Sequence, residues 1–200
     1  VLVNRWTCSM GDLPTGARIG TSSPRRVAQV KEARPDVVVI PIRGNVETRL
    51  SKSDGGDYDG VIMAAAGLLR LNLQNNVAQK LSVDQFVPAP GQGAVAIQAR
   101  ADDVETLKLV SDLDDNPTRC AVTAERYFLE ALGGGCETPV GAYGYVEGDL
   151  LTLTVYLASA DGAMALRSKV EGNASNPYQV GMDAYWQLMG QGAKALIESE

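Results

Sequence analysis

Five arginines stand at or beside the points where predicted strands lead into predicted helices. They are Arg25, Arg26, Arg43, Arg49 and Arg70. In an open α/β sheet, ligands bind beyond the carboxyl ends of the strands, and a planar guanidinium group grips a carboxylate with two hydrogen bonds. The pattern therefore predicts a site for a molecule that carries several carboxylates. Taken singly, each arginine could instead be a surface residue or pair with an acid such as Glu47.

One cysteine, Cys136, directly follows three glycines in the stretch EALGGGCETPVG, residues 130–141. Glycines allow a ligand to lie close to the backbone, and a thiolate is a natural nucleophile for a covalent link. A small buried thiol in a glycine turn is the alternative, and the residues alone leave both interpretations open. Cys8 and Cys120 have no such setting, and we expect them to be inert.

The composition excludes several kinds of chemistry. The chain has no histidine among its 200 residues, which removes Ser-His and Cys-His nucleophile pairs and most zinc sites. Three cysteines without paired spacing argue against a disulfide scaffold and favour a reducing cytoplasm. Without histidine we expect no metal site. No apolar run approaches 18 residues and no secretory leader is evident, so we expect no membrane span.

The charge is distributed unevenly along the chain. Residues 1–93 carry 11 Lys/Arg against 8 Asp/Glu, whereas residues 94–200 carry 7 against 16. A basic half in an acidic protein indicates capture of an anion, although a solvated basic face remains the alternative. Duplex nucleic acid would require a stronger basic stripe, so we expect no nucleic-acid partner.

Strands and helices alternate in the first half, which predicts a parallel or mixed α/β sheet. Residues 17–20, the buried β-branched run 36–42 and the start of 58–71 are predicted strands. Helices are predicted over 21–34, capped by Ser22 or Ser23 with Pro24 at the first position, and over 44–54, opened by Asn45.

The second half changes character after a Pro- and Gly-rich stretch at residues 86–93, which indicates a hinge or crossover. A further strand is predicted at 94–100 and a helix at 102–113. Residues 118–132 form a predicted amphipathic helix that leads into the glycines before Cys136. The remainder predicts a three-stranded antiparallel meander and a final helix, and therefore a small α+β domain.

Six segments together resemble the porphobilinogen deaminase family, also called hydroxymethylbilane synthases. They occur in the family's order across residues 17–145 and read GTSSPRR, IRGNVETRL, AAAGLLRL, PAPGQGAVAIQAR, TAERYFLEAL and GGGCETPVG. The resemblance implies a periplasmic-binding-protein-like mixed-sheet domain and a small C-terminal α+β domain with a three-stranded antiparallel sheet. It also implies a transferase that joins four porphobilinogen molecules head to tail with release of ammonia.

The resemblance implies roles for particular residues. Cys136 matches the cysteine that holds a dipyrromethane cofactor through a thioether. The five arginines Arg25, Arg26, Arg43, Arg49 and Arg70 match those that bind the acetate and propionate groups of cofactor and growing chain. Thr21, Ser22, Ser23 and Gln92 match cofactor-site or hinge positions. Family members of this kind are expected to be cytoplasmic monomers.

The resemblance also predicts a division of the chain. Residues 1–88 look like the second of three family domains, 89–113 like the hinge and return segment of an incomplete first domain, and 114–200 like the cofactor-carrying third domain. The aspartate that assists loss of ammonia is expected outside residues 1–200, so this stretch alone is expected to be inactive. The segment CSMGDLPTG looks like the family segment that carries this aspartate. Asp12, however, lies only nine residues before Thr21, which is too close for that role, and we interpret it as a turn residue.

Two alternatives to an enzyme remain. The sheet-end arginines could serve a module that binds a small anion without catalysis, as the missing aspartate would allow. Residues 1–200 could also fold only in part, because the strand at 94–100 would lack the sheet that it completes and would leave an unpaired edge.

Overall fold

The computed structural model describes residues 1–54, 56–133, 138–159 and 161–197. Its first sheet contains four short strands: β1 (Leu2–Asn4), β2 (Arg18–Gly20), β3 (Val38–Ile40) and β4 (Gly60–Ile62). Their order across the sheet is β1-β4-β2-β3. Strand β2 is parallel to both β3 and β4, whereas β1 is antiparallel to β4. The mixed α/β sheet predicted from the sequence is confirmed.

Three helices follow the parallel strands: α1 (Pro24–Ala33), α2 (Val46–Lys52) and α3 (Ala65–Arg70), with a short 3-10 helix at Gln74–Asn76. Ser23 caps α1 by accepting a hydrogen bond from the Arg26 N–H, and Asn45 caps α2 by accepting one from Thr48 at 2.8 Å. Both predicted caps are confirmed. Each satisfies an N–H group that the first helical turn leaves without a partner.

Strand β3 is less buried than its β-branched sequence predicts. Val38 is 49% exposed, because β3 lies at the edge of the sheet and has only β2 beside it. Burial is complete on the central strands, where Ile19 of β2 and Val61 of β4 are inaccessible to solvent. The apolar run therefore identified a strand correctly but not its position in the sheet.

The strand predicted at residues 94–100 is wrong. The structure assigns no strand there, and Val95 is 72% exposed. No strand in the described part of the chain lies beside this segment to accept its N–H groups, and an unpaired strand has nothing to stabilise it. The helix predicted next is present as α4 (Val104–Ser111), but it has no buried residue.

The second half forms its own core. Helix α5 (Asn116–Leu132) begins two residues earlier than predicted, because Asp115 caps it by accepting from Thr118 at 2.9 Å. The predicted meander is confirmed as β5 (Val140–Glu147), β6 (Leu150–Ala158) and β7 (Ala165–Asn173), in the order β5-β6-β7. Helices α6 (Pro177–Gly190) and α7 (Ala193–Ile197) complete it.

Helix α1 packs directly on the C-terminal sheet. Ala28 of α1 joins Val87, Tyr156 and Ala158 in one buried apolar cluster. At its margin the Arg167 guanidinium donates two hydrogen bonds to the Glu32 carboxylate. Helix α1 begins just after strand β2 of the first sheet. Its packing therefore connects that sheet to the second half of the molecule.

Across the described ranges, no helix combines the length and the apolar character needed to cross a lipid bilayer.

Candidate anion-binding site

The parallel strands β2, β3 and β4 all end at one edge of the first sheet, which we call the carboxyl edge. The segments that follow β2 and β3 are tied together there. Thr21 donates its backbone N–H to the Ile40 carbonyl oxygen at 3.0 Å. The Ser22 hydroxyl donates to the Ile42 carbonyl oxygen at 2.7 Å and accepts from the Ile42 N–H at 2.9 Å. These predicted site residues therefore shape the carboxyl edge itself.

Two of the predicted arginines meet at this edge. Arg25 is buried and donates from Nη1 to the Val87 carbonyl oxygen at 2.5 Å. Arg26 donates from Nη1 to the carbonyl oxygen of Ile62, the last residue of β4, at 3.0 Å. The Nη2 atoms of both arginines lie within 3.5 Å of Gln92 Oε1. The structure thus brings Arg25, Arg26 and Gln92 together.

The charges at this edge repel one another. Burial, and then the neighbouring Arg26 charge, lower the pKa of Arg25 to about 10. Burial, and then the Arg49 charge, lower the pKa of Arg26. With a pKa still near 10, Arg25 remains cationic near neutral pH, and like charges accumulate at this edge. An anion placed among them would relieve this repulsion.

None of the five predicted arginines pairs with an acid that the structure describes. Within residues 1–54, 56–133, 138–159 and 161–197, no carboxylate oxygen lies within 4.0 Å of a charged nitrogen of Arg25, Arg26, Arg43, Arg49 or Arg70. The alternative that Glu47 pairs with Arg43 or Arg49 is not realised. Six other arginines of the chain do form ion pairs: Arg5, Arg18, Arg34, Arg100, Arg119 and Arg167.

The other three predicted arginines lie at different places relative to Arg25 and Arg26. Arg49 donates from Nε to the Gly44 carbonyl oxygen at 2.8 Å, which fixes it beside the loop that carries the exposed Arg43. Arg70 is the last residue of α3, about 9 Å along the helix from its start at the carboxyl edge. Among the described residues, no hydrogen bond or ion pair links Arg70 to the other four arginines.

Sequence reasoning overlooked Glu125, on α5. Its carboxylate is buried and accepts hydrogen bonds from the Gly91 N–H at 2.5 Å and the Gly144 N–H at 2.7 Å. Burial raises its pKa, while the two N–H groups oppose that rise. A signal was present: Glu125 lies four residues after Ala121 and three before Phe128, on the apolar face of the helix.

The predicted attachment residue Cys136 lies outside the described residues. Helix α5 ends at Leu132, and Gly133 caps it with a left-handed φ of 68°. Of the other cysteines, Cys8 and Cys120 are partly buried and bonded to the side-chain oxygens of Asn4 and Asn116.

Asp12 lies in a turn in which its carboxylate accepts from the Ser9 hydroxyl at 2.6 Å. Arg34 holds that turn by donating to the Met10 and Leu13 carbonyl oxygens, on the side of the sheet opposite the carboxyl edge. The interpretation of Asp12 as a turn residue is therefore supported.

Comparison with known proteins agrees with this geometry. Residues 1–108 match the family model described as porphobilinogen deaminase, dipyromethane cofactor binding domain. Residues 119–189 match the model of the porphobilinogen deaminase C-terminal domain. The chain belongs to the porphobilinogen deaminase family.

Relatives in several bacteria support this assignment. The porphobilinogen deaminase of Roseiflexus sp. (strain RS-1) is 46% identical over 189 residues, which cover 94% of this chain and 62% of that protein. That of Syntrophobacter fumaroxidans is 41% identical over 198 residues, 99% of this chain and 64% of the relative. That of Brevibacillus brevis is 44% identical over 194 residues, 96% and 62% respectively. The chain thus spans less than two thirds of the length of these relatives.

The two family models divide the candidate site. The arginines and Gln92 fall within the cofactor-binding-domain match, whereas Glu125 and Cys136 fall within the C-terminal-domain match. Porphobilinogen deaminases are transferases of tetrapyrrole biosynthesis, and the mixed sheet with a separate three-stranded sheet agrees with that family's domains.

Proposed function

We propose that the full-length protein is a hydroxymethylbilane synthase, which joins four porphobilinogen molecules head to tail and releases ammonia at each step. The observation that carries the proposal is the cluster of arginines at the carboxyl edge, none of which has an acid partner among the described residues. Every pyrrole of the substrate carries an acetate and a propionate group, and unpaired guanidinium groups match such carboxylates.

In this proposal Arg25 and Arg26 bind carboxylates of the cofactor and the growing chain, and Gln92 spaces the two guanidinium groups. Arg43 and Arg49 extend the cationic surface from the loop after β3. Thr21, Ser22 and Ser23 position these groups by tying the edge together, and Arg70 serves a more distant part of the chain of pyrroles.

We further propose that dipyrromethane is attached to Cys136 through a thioether. When bound, this group supplies the primer to which the first substrate unit is joined. The residues present fit it, because a two-pyrrole group brings four carboxylates and the edge offers cations that pair with no carboxylate in the described part of the chain. The chain's own residues bind and orient these carboxylates.

The proposed division of labour follows the predicted domains: 1–88 holds the arginines, 89–113 links the halves, and 114–200 carries the primer. We assign no catalytic role to Asp12, since it lies away from the carboxyl edge. The carboxylate that assists ammonia loss is proposed to come from the longer protein. A monomeric state and a cytoplasmic location stay predictions.

Intact-mass measurement on the full-length protein tests the attachment. We expect the wild type to carry an added mass of two pyrrole units and a Cys136→Ser variant to lack it. Cys120→Ser, which removes a partly buried thiol on α5, is the matched control and should keep the adduct. An adduct that survives Cys136→Ser would overturn the assignment.

A second candidate is a non-catalytic module that binds a small polycarboxylate. The same unpaired arginines favour it, because they require only an anion. Turnover separates the two: release of ammonia from porphobilinogen by the full-length wild type supports the synthase, whereas binding of porphobilinogen without ammonia release supports the module.

A further inference from the structure

We propose that Glu125 is a positioning residue for the anion site, acting through the loop 89–93 to place Gln92 between Arg25 and Arg26. The inference rests on the proposed function for the identity of the ligand. It concerns a residue that belongs to the second half of the chain, although the arginines that it serves belong to the first.

The first link is the carboxylate itself. Glu125 extends from α5 and receives the backbone N–H groups of Gly91 and Gly144 on separate oxygens, Oε2 and Oε1. Gly144 lies on β5, packed tightly against Ala121 of α5, so that bond anchors the side chain. The bond to Gly91 then fixes the loop to this anchor. A buried carboxylate with two N–H donors forms strong, directional bonds.

The second link is the turn from Ala89 to Gln92, in which Gly91 is the third residue. Gly91 has a φ of 71°, a left-handed conformation that favours glycine. The Gln92 N–H donates to the Ala89 carbonyl oxygen at 2.9 Å and closes the turn. Glu125 is the one side chain, among those the structure describes, that accepts a hydrogen bond from the backbone of residues 89–93.

The third link is the side chain of Gln92. Its Oε1 lies 3.5 Å from Arg25 Nη2 and 3.4 Å from Arg26 Nη2. These two guanidinium groups repel each other, so a neutral acceptor between them sets their separation without cancelling their charge. Gln92 can occupy this position only when the turn at Gly91 is held. Glu125 thereby controls the spacing of two cations that it does not touch.

The effect should appear in substrate binding rather than in the chemical step. In the full-length protein, Glu125→Gln replaces one acceptor oxygen with an N–H₂ group facing an N–H donor. We expect KM for porphobilinogen to rise about tenfold, as for loss of one charge-assisted hydrogen bond, with kcat changed much less. Glu130→Gln, an exposed glutamate on the same helix, is the matched control and should leave both parameters unchanged.

A double-mutant cycle separates positioning from general stability. Gln92→Ala should raise KM to a similar extent, and adding Glu125→Gln to it should raise KM little further, because both act through one side chain. A purely structural role for Glu125 would give additive effects. Additive increases, or a Glu125→Gln variant with wild-type KM, would overturn the proposal.

Amide hydrogen exchange on the wild type keeps the test independent of any variant that fails to fold. The Gly91 and Gly144 N–H groups should be protected, and Gly93, in the same turn, should exchange faster. Rapid exchange at Gly91 in the wild type refutes the anchor. If the wild type releases no ammonia and binds no porphobilinogen, the proposed function fails, while the exchange result still decides whether Glu125 holds the loop.

Discussion

The two edges of the first sheet use arginine in opposite ways. At the edge where β2 and β4 begin, which we call the amino edge, Arg5 and Arg18 both contact the Asp59 carboxylate, at 3.5 and 3.0 Å. Arg34 pairs there with Asp36 at 2.6 Å. At the carboxyl edge, Arg25, Arg26 and Arg49 accumulate without a carboxylate in the described structure. Arginines are thus paired with carboxylates at the amino edge, whereas the arginines of the carboxyl edge have no such partner among the described residues.

The difference appears in the pKa values. Hydrogen bonds from Arg18 lower the pKa of Asp59 from 3.8 to about 2, so that the ion pair favours the folded state. At the carboxyl edge, burial and like charge lower the pKa of Arg25 to about 10, so that the charges oppose folding. A fold keeps such a cluster where a ligand completes it. The amino edge is therefore structural, and the unpaired charges are the reason that we propose the carboxyl edge as the binding site.

The largest expected effect comes from removing one cation at the carboxyl edge. In the full-length protein, Arg26→Leu should lower kcat/KM for porphobilinogen by roughly 100-fold, because a carboxylate of the ligand loses its charged partner. The melting temperature should change by about 2 °C or less, because removing a cation that repels Arg25 and Arg49 offsets the loss of its hydrogen bonds to Ile62 and Gln92. Steady-state kinetics and thermal unfolding measure the two quantities.

Arg126→Leu is the matched control for that substitution. Arg126 is also an arginine without an ion pair among the described residues, but it is exposed on α5, in the second half of the chain. Its loss should leave kcat/KM unchanged. Equal losses in the two variants would mean that the position at the carboxyl edge has no special importance.

Removing the acid at the amino edge should give the opposite result. Asp59→Ala leaves Arg5, Arg18 and the backbone N–H of Arg18 without their acceptor. We expect a loss of about 1 to 3 kcal/mol in the free energy of unfolding, as for a buried donor left unsatisfied. The KM for porphobilinogen should stay near the wild-type value. Denaturant unfolding measures the free energy of unfolding, and steady-state kinetics measure KM. A rise in KM equivalent to the loss of stability would contradict the comparison.

The pH dependence of that loss has a definite sign. A carboxyl whose pKa falls on folding stabilises the folded state above its unfolded pKa, and this contribution disappears as the pH falls through the folded value. For Asp59 the window runs from 3.8 down to about 2. The stability difference between wild type and Asp59→Ala should therefore shrink across this range. A difference that stayed constant down to pH 2 would show that the charge of Asp59 contributes nothing.

Much of the carboxyl edge follows from sequence, because its cause is local. Pro24 and Ser23 start α1, Asn45 starts α2, and parallel strands must end together, so the placement of Arg25, Arg26 and Arg49 is predictable. The ion pairs of the amino edge are not local. Arg18 and Asp59 are 41 residues apart, and only the register of β2 beside β4 brings them together.

The sequence predictions that differ from the structure also depend on contacts between residues far apart in the chain. The apolar run around Val38 indicates a strand but not that the strand lies at the edge of the sheet. Residues 94–100 have the composition of a strand, yet pairing needs a neighbour that is not among the described residues. The apolar face of α5 indicates that Glu125 is buried, but its partners, Gly91 and Gly144, are backbone N–H groups, and no side-chain pattern reveals which backbone a buried acid will meet.

Introducing a carboxylate at the carboxyl edge tests the comparison directly. Gln92→Glu would place a carboxylate within reach of Arg25 and Arg26 and create the pairing seen at the amino edge. We expect the free energy of unfolding to rise by about 1 kcal/mol and KM for porphobilinogen to rise severalfold, because the new acid competes with the ligand. Thermal unfolding and kinetics test this, and a variant with unchanged KM would show that Gln92 does not face the bound carboxylates.

The smallest effect is expected at a paired arginine that solvent can reach. Arg167 and Glu32 join the two halves of the molecule with their side chains 31% and 35% exposed, against 12% for Asp59. Glu32→Gln should lower the free energy of unfolding by at most about 1 kcal/mol, and 1 M salt should remove most of the difference by screening. Thermal unfolding at low and high salt measures this, with Asp59→Ala for comparison, since its buried hydrogen bonds respond less to salt. Glu32→Gln could instead lower the free energy of unfolding as much as Asp59→Ala does at both salt concentrations. That result would mean that ion pairing alone, without burial, explains the stability of the amino edge.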